Sequence, residues 1–288
     1  MASSYPHLGE QALPLIGLPP VERIKKIRAN MFTDFPRCRQ VMELMGNSVD
    51  RNANLLFWGE SGTGKTTIIK RYLGEHPPCF DETSGIRETP VIGILMPPVC
   101  DPRWLYMNLL HEVGAPQLPT TRAHISLLAQ RVVELYRTIK VRQIVIDETH
   151  DLMTGTAPQQ RVMLNVIRHL TNELAVPLVL FGTEAVRTAL IPDPQLARRF
   201  RVHKISSWTP GEEFDELIGT ILRTFPLHRP SKLTGRALKK LSNYTHGNTG
   251  AIFNILIELA VRAIQSSDEC ITSESVLTYI ELQTVVMQ

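Results

Sequence analysis

Eight consecutive residues, Gly59-Glu60-Ser61-Gly62-Thr63-Gly64-Lys65-Thr66, satisfy the spacing GxxxxGK[ST]. Glycines at these places let the backbone curl so that successive N–H groups converge on one point, with a lysine and a hydroxyl at the end of the curl. Such a curl suits a polyphosphate. The N–H groups and the dipole of a helix starting near Lys65 take phosphate oxygens, Lys65 reaches the β- and γ-phosphates, and the Thr66 hydroxyl takes Mg²⁺, with Thr67 beside it. Further on, the apolar run "RQIVI" ends in Asp147-Glu148. A carboxylate at the C-terminal end of a strand can hold magnesium through water, and a second one residue later can orient or deprotonate an attacking water. The plainer reading of that pair is the cap of the next helix. His150 and Asp151 fit either support of the acidic pair or helix capping. ATP and Mg²⁺ are the expected ligands; the chain has no NKxD guanine-reading motif.

These residues need elements to hold them. The apolar run Leu55–Trp58 reads as a buried strand leading into the phosphate loop, with further strands at Pro90–Met96, Gln143–Ile146 and Pro177–Phe181 and a short one near Val202–Ile205. Helical patterns separate them, such as Leu127–Tyr136 and Arg161–Leu174, and two short amphipathic helices are expected before them at about Val21–Asn30 and Phe35–Met45. Strands alternating with helices predict an α/β fold with a parallel sheet. After Trp208 the strand signals stop, and "TPGEEFDELIGTILRTF", "TGRALKKLSNYT", "TGAIFNILIELAVRAIQ" and "TSESVLTYIEL" read as capped helices. The expected organisation is a proline-rich, flexible arm over 1–19, a nucleotide-binding core with its N-terminal helices over 20–208, and a small C-terminal helical lid over 209–288.

Composition narrows the class. A chain of 288 residues with 43% hydrophobic content can bury one large domain and a smaller companion. No run approaches 18 apolar residues and the N-terminus lacks a secretory pattern, so a cytoplasmic protein is expected. Cys38, Cys79, Cys100 and Cys270 form no CxxC pair, which suits free thiols better than zinc or disulfides. The net charge of +3 is too small to require nucleic acid, although "RIKKIR" and "RRFRVHK" are locally basic. Two helix starts carry a cation where the dipole disfavours one: Arg103 behind an Asp101 N-cap in "CDPRWLYMNLL", and Arg122 beside a Thr121 N-cap in "PTTRAHISLL". An arginine there makes sense if a DNA phosphate joins it, so Arg103, Thr121 and Arg122 are the DNA-binding candidates. Side chains leaning into water are the alternative.

An extra strand between the phosphate loop and Asp147, with Glu148 beside the Asp, resembles the additional-strand ATPases and, among them, the AAA+ P-loop ATPases. That resemblance gives Thr183, at the end of "PLVLFGT", the place called sensor 1, beside Asp147 and the attacking water; an N-cap role for "EAVRTAL" can coexist with it. In "DPQLARRFRVHK" it makes Arg199 the candidate arginine finger reaching a neighbouring subunit's ATP, with Arg198 in reserve, or else a solvated basic turn. More specifically, "PPVERIKKIRANMFTDFPRCRQVMELM", "VRQIVIDETHDLMTG", "NVIRHLTNELAVPLVLFGTEAVRTALIPDPQLARRF" and "LRTFPLHRPSKL" look like the TniB family, relatives of TnsC, over about Pro19 to Val276. The resemblance implies an ATP-dependent homo-oligomer or filament on double-stranded target DNA. It would link a TniQ-type targeting protein to a DDE transposase of the TniA/TnsB type and disassemble on ATP hydrolysis. One departure stands out: "HGNTGAIF" has Gly250 where many AAA+ lids carry the sensor 2 arginine. That favours nucleotide-gated assembly over a translocating motor. A helicase loader or secretion-type ATPase shares the same ATP chemistry. A P-loop small-molecule kinase fits less well, because its lid should supply arginines to a second phosphate site.

Overall fold

The computed structural model describes residues 5–29, 35–116, 124–191 and 193–286. It contains a five-stranded sheet, paired in parallel throughout, of β1 (Asn54–Trp58), β4 (Val91–Leu95), β5 (Gln143–Asp147), β6 (Leu178–Gly182) and β7 (Phe200–Lys204), plus a separate antiparallel hairpin of β2 (Cys79–Asp81) and β3 (Ile86–Glu88). Sheet order is β4-β5-β6-β1-β7. β6 therefore lies between the strand feeding the phosphate loop and the strand ending in Asp147, as an added strand requires. The hairpin was not expected: its strands are three residues each, with Phe80 exposed, so neither length nor burial leaves a pattern to read.

The chain divides into two compact units. One comprises Cys38–Ser61 and Lys65–Ser206. Its strands read as near-continuous apolar runs because both faces are covered. Ile92, Ile94, Ile144, Ile146, Leu178 and Leu180 face a cluster with Leu105, Leu109, Val132, Tyr136, Met163 and Ile167. These last six come from α4 (Pro102–Glu112), α5 (Ile125–Thr138) and α6 (Ala157–Glu173). On β4, Gly93 leaves room for Leu73 of α3 (Lys65–Glu75). Helix α2 (Pro36–Arg51) runs six residues past its expected end at Met45. Fully buried Gln143 anchors that added turn, its amide donating to the Met45 carbonyl and Ser48 hydroxyl at 2.8 Å each.

The other unit comprises Met1–Arg37, Gly62–Gly64 and Ser207–Gln288. It holds α1 (Pro20–Arg28) and the helices α9 (Glu212–Thr224), α10 (Gly235–Thr245), α11 (Thr249–Gln265) and α12 (Ser273–Val286). Within this unit α1, expected with the nucleotide-binding core, packs against α11. Its Arg23 is 2% exposed and reaches both Glu269 carboxylate oxygens at 2.7 Å and the Pro226 carbonyl at 2.8 Å. The part of the expected arm that is described also has partners in this unit: Gly9 N–H donates to the Arg223 carbonyl at 2.8 Å and His7 Nε2 lies 3.0 Å from the Leu227 carbonyl. Separations of 203 to 246 positions hid these pairings from local pattern.

Candidate nucleotide site

β1 delivers the chain to Gly59, whose N–H donates to the Gly182 carbonyl at the end of β6 at 3.0 Å. The loop then turns through Gly62 at φ +76° and Gly64 at φ +92°, a backbone region that side chains with a Cβ rarely adopt. α3 starts at Lys65 as expected. The motif therefore stands in the strand–loop–helix setting that its phosphate chemistry needs. Lys65 is buried, and its ammonium donates to the carbonyls of Gly59 at 2.9 Å and Glu60 at 2.7 Å. Burial lowers its pKa, partly offset by the charges of Glu148 and Asp147. Desolvated cationic charge beside two carboxylates is a ready partner for phosphate.

Asp147 ends β5 at 2% exposure. One of its oxygens accepts from the Thr66 hydroxyl at 2.6 Å and the other from the Glu148 N–H at 2.8 Å. Threonine and aspartate, 81 positions apart, thus meet at the C-terminal edge of the sheet. Their donor set is all oxygen, including one carboxylate, which fits Mg²⁺. Glu148 follows in the left-handed conformation at φ 53°, ψ 33° and precedes the 3₁₀ turn Thr149–Thr154. A non-glycine residue there costs on the order of 1 kcal/mol or more. The Glu148 side chain keeps 43% of its surface in solvent, open to water. His150 Nδ1 sits 3.1 Å from a Glu148 oxygen but makes no hydrogen bond of good geometry, so it is an electrostatic neighbour of the carboxylate. Gly182 permits this turn: a Cβ there would lie 2.3 Å from Val186 and 3.2 Å from the His150 nitrogen.

Thr183 follows β6, next to β5, in the N-cap place of α7 (Glu184–Leu190). Its side chain makes no capping hydrogen bond, so the capping alternative has position without the bond. Arg199, just before β7, is exposed and hydrogen-bonded to Asn172 of α6; Arg198 is exposed beside it. Arg103 differs from expectation. Asp101 caps α4 by accepting from the Arg103 N–H at 2.9 Å, and the same carboxylate takes the Arg103 guanidinium at 2.6 to 3.2 Å. The unfavourable first-turn cation is balanced by its own N-cap, so its position alone does not call for a phosphate. α5 starts at Ile125 with His124 as N-cap, later than Thr121; Thr121 and Arg122 lie outside the described residues.

Sequence reasoning passed over the residues around Trp208. Its indole donates to the Thr249 hydroxyl at 3.0 Å, and that hydroxyl lies 3.3 Å from the Thr63 carbonyl in the phosphate loop. The Asn248 N-cap of α11 was legible in "NTG"; the tryptophan contact, 41 positions away, was not.

A family model described as "Bacterial TniB protein" matches residues 23–210. No curated protein matches the chain. Among solved structures, the Aeropyrum pernix ORC2 protein (ADPNP-ADP complexes) has a TM-score of 0.62 at 13% identity, covering 90% of this chain and 71% of that one. The A. pernix ORC1 protein in complex with DNA has a TM-score of 0.56 at 18% identity, covering 86% of this chain and 64% of that one. The Walker-type ATPase PABY2304 of Pyrococcus abyssi has a TM-score of 0.56 at 14% identity, covering 89% and 73%. At such identities these neighbours speak for the fold, while the family match spans well over half of the 288 residues. With its phosphate loop, acidic strand end and sheet order in place, the chain belongs to the TniB family and is an ATPase of the AAA+ fold.

Proposed function

We propose that this ATPase is a regulator of DNA transposition that assembles as an oligomer or filament on duplex target DNA, links a TniQ-type targeting protein to a DDE transposase, and leaves the DNA when ATP is hydrolysed. The family match over residues 23–210, which contains every ATP-site residue named above, carries this reading. A structural neighbour solved in complex with DNA, the A. pernix ORC1 protein, shares the fold and is compatible with it.

The chemistry follows from the side chains. The loop from Gly59 through Gly64 offers its N–H groups to the phosphates, and Lys65 exchanges its two loop carbonyls for phosphate oxygens. Thr66 and Asp147 would hold Mg²⁺, which when bound neutralises charge on the phosphates. Glu148, open to solvent on its left-handed turn, takes the proton of the attacking water. Thr183 orients that water or the γ-phosphate from the end of β6. Arg199, exposed at the margin of the sheet, stabilises transferring charge in a neighbouring subunit's site, an effect on the order of 10³–10⁵ in rate where such an arginine acts. Arg103 and Arg122 contact the DNA backbone; for Arg103, itself exposed, the phosphate displaces the part-buried carboxylate of Asp101.

Electron microscopy of the protein with a non-hydrolysable ATP analogue and duplex DNA tests the whole reading. Rings or filaments coating the duplex are expected. Binding confined to single-stranded DNA would favour the helicase-loader alternative.

A further inference from the structure

The lid helix α11 begins at Thr249, and its first turn is bonded to the phosphate loop: the Gly250 N–H donates to the Gly62 carbonyl at 2.9 Å, and the Thr249 hydroxyl lies 3.3 Å from the Thr63 carbonyl. Gly62–Gly64 belong to the same compact unit as α11. These are two successive loop carbonyls, and a trans peptide points its C=O and the following N–H in opposite directions. Holding the Gly62 and Thr63 carbonyls toward α11 therefore turns the N–H groups of Thr63 and Gly64 away from it, to the side on which a phosphate cradle forms. Preset donors need no reorientation when the anion arrives.

The hydroxyl of Thr249 has one proton. Because it accepts from the Trp208 indole at 3.0 Å, that proton is free for the Thr63 carbonyl. Thr249 and Trp208 are buried, at 6% and 5% exposure. Trp208 is itself fixed: its backbone N–H donates to the Gly247 carbonyl at 2.8 Å, Phe35 meets its ring edge-on at 5.4 Å, and the Arg37 guanidinium covers it at 3.7 Å. Asn248 completes the contact from the other side. It caps α11 by accepting from the Ala251 N–H at 3.0 Å, and it packs so closely on Gly62 that a Cβ there would lie 2.4 Å from its side chain.

We infer that Thr249, held by Trp208, is a positioning residue for nucleotide binding: its hydroxyl and the Gly250 N–H fix the phosphate-loop carbonyls so that the loop's amides face the phosphates. A neutral relay thus stands at the turn where the sequence lacks a sensor 2 arginine. Because it lies at the loop, the relay acts on ATP affinity more than on the hydrolytic step, and Trp208 senses whether the loop is filled. The inference rests on ATP binding at this loop.

The test measures binding of a fluorescent ATP analogue, steady-state ATPase kinetics and tryptophan emission. Thr249→Val, nearly isosteric but without the hydroxyl, should weaken analogue binding about tenfold and raise KM while kcat changes less than threefold. Thr249→Ser should restore wild-type binding. Trp208→Phe, which removes the indole N–H that holds the Thr249 hydroxyl, should also weaken analogue binding, though by less than Thr249→Val, and remove the Trp208 contribution to any emission change on adding ATP. Lys65→Ala separates the two levels of inference. If it binds the analogue normally, the ATP reading of the loop fails. If it abolishes binding while Thr249→Val binds as wild type, the positioning role alone fails. Should Thr249→Val not fold, Thr249→Ala against Thr249→Ser makes the same comparison, and equal affinities for those two overturn the proposal.

Discussion

The duties proposed for Lys65 and Glu148 are opposite, and the two side chains sit in contrasting environments. The lysine is buried and faces carbonyls; the glutamate is half in solvent at the end of a strained turn. An interaction with bound phosphate acts in ground and transition states alike, whereas a base for water acts only in the chemical step. Lys65→Ala should therefore abolish ATP binding and ATP-dependent assembly. Glu148→Gln should keep both and lower kcat by at least about a hundredfold, within the usual range for loss of a general base, leaving complexes that persist on DNA. ATP turnover and DNA pelleting measure both. Normal turnover by Glu148→Gln would remove Glu148 from the mechanism. Arg103 makes a finer case, because this residue, proposed for DNA, already has an anion of its own. Arg103→Ala should weaken duplex binding equally on all sequences and reduce the salt slope by about one phosphate contact. An unchanged slope would leave Arg103 as the partner of Asp101 only.

Among the elements, α1 shows how a single ion pair can tie a helix to a residue far along the chain. Arg23 and Glu269 form a bidentate pair with side-chain exposures of 3% and 15%, and Glu269 adopts the left-handed conformation at φ 53° to present its carboxylate. Breaking such a pair leaves a poorly solvated charge behind. Arg23→Ala should lower the stability of the unit containing α1 and α11 by about 3 kcal/mol, the low end for a buried pair because Glu269 is not fully enclosed. Urea denaturation followed by circular dichroism reads the loss. Burial acts to raise the Glu269 pKa, but the hydrogen bond from Arg23, the His228 N–H and the Arg23 charge together bring it below its usual value. A carboxyl with a depressed folded pKa contributes its stability above the unfolded pKa and loses it as pH falls through the folded one. The difference between wild type and Arg23→Ala should therefore be full at neutral pH and shrink below about pH 4.5, near the ordinary glutamate value. A difference constant down to pH 3 would contradict this linkage.

At the scale of the whole molecule, the proposed assembly raises the question of whether one subunit completes another's site. Arg199 is exposed, held by Asn172, and lies in the same unit as Asp147 and Glu148. If it acts in a neighbour, an Arg199→Ala subunit keeps its own ATP binding and fails only to help the next one. Mixing Arg199→Ala with Lys65→Ala should then recover ATPase activity that neither has alone, since some interfaces pair an intact loop with an intact arginine. Co-assembly is established first by co-sedimentation of differently tagged subunits. No recovery in demonstrated mixed assemblies would mean that Arg199 acts within its own subunit.

The nucleotide chemistry was legible because it rests on short-range demands. Positive-φ turns at Gly62 and Gly64, a lysine and hydroxyl at a helix start, and a carboxylate ending an apolar strand are each set by their own neighbouring residues, so local spacing reveals them. The parallel sheet was legible too, since strands covered on both faces must be apolar along their whole length. The β2–β3 hairpin, too short to show a period, was not. Nor were the pairings that cross the chain. Thr66 meets Asp147 only because β6 separates β1 from β5 while leaving their C-terminal ends together, and Arg23 meets Glu269 only because α1 joins the C-terminal helices. The Trp208–Thr249 hydrogen bond has the same origin. Local sequence sets which backbone turns and periods are affordable in free energy; which distant side chains become partners depends on how apolar faces pack, and no single segment carries that information.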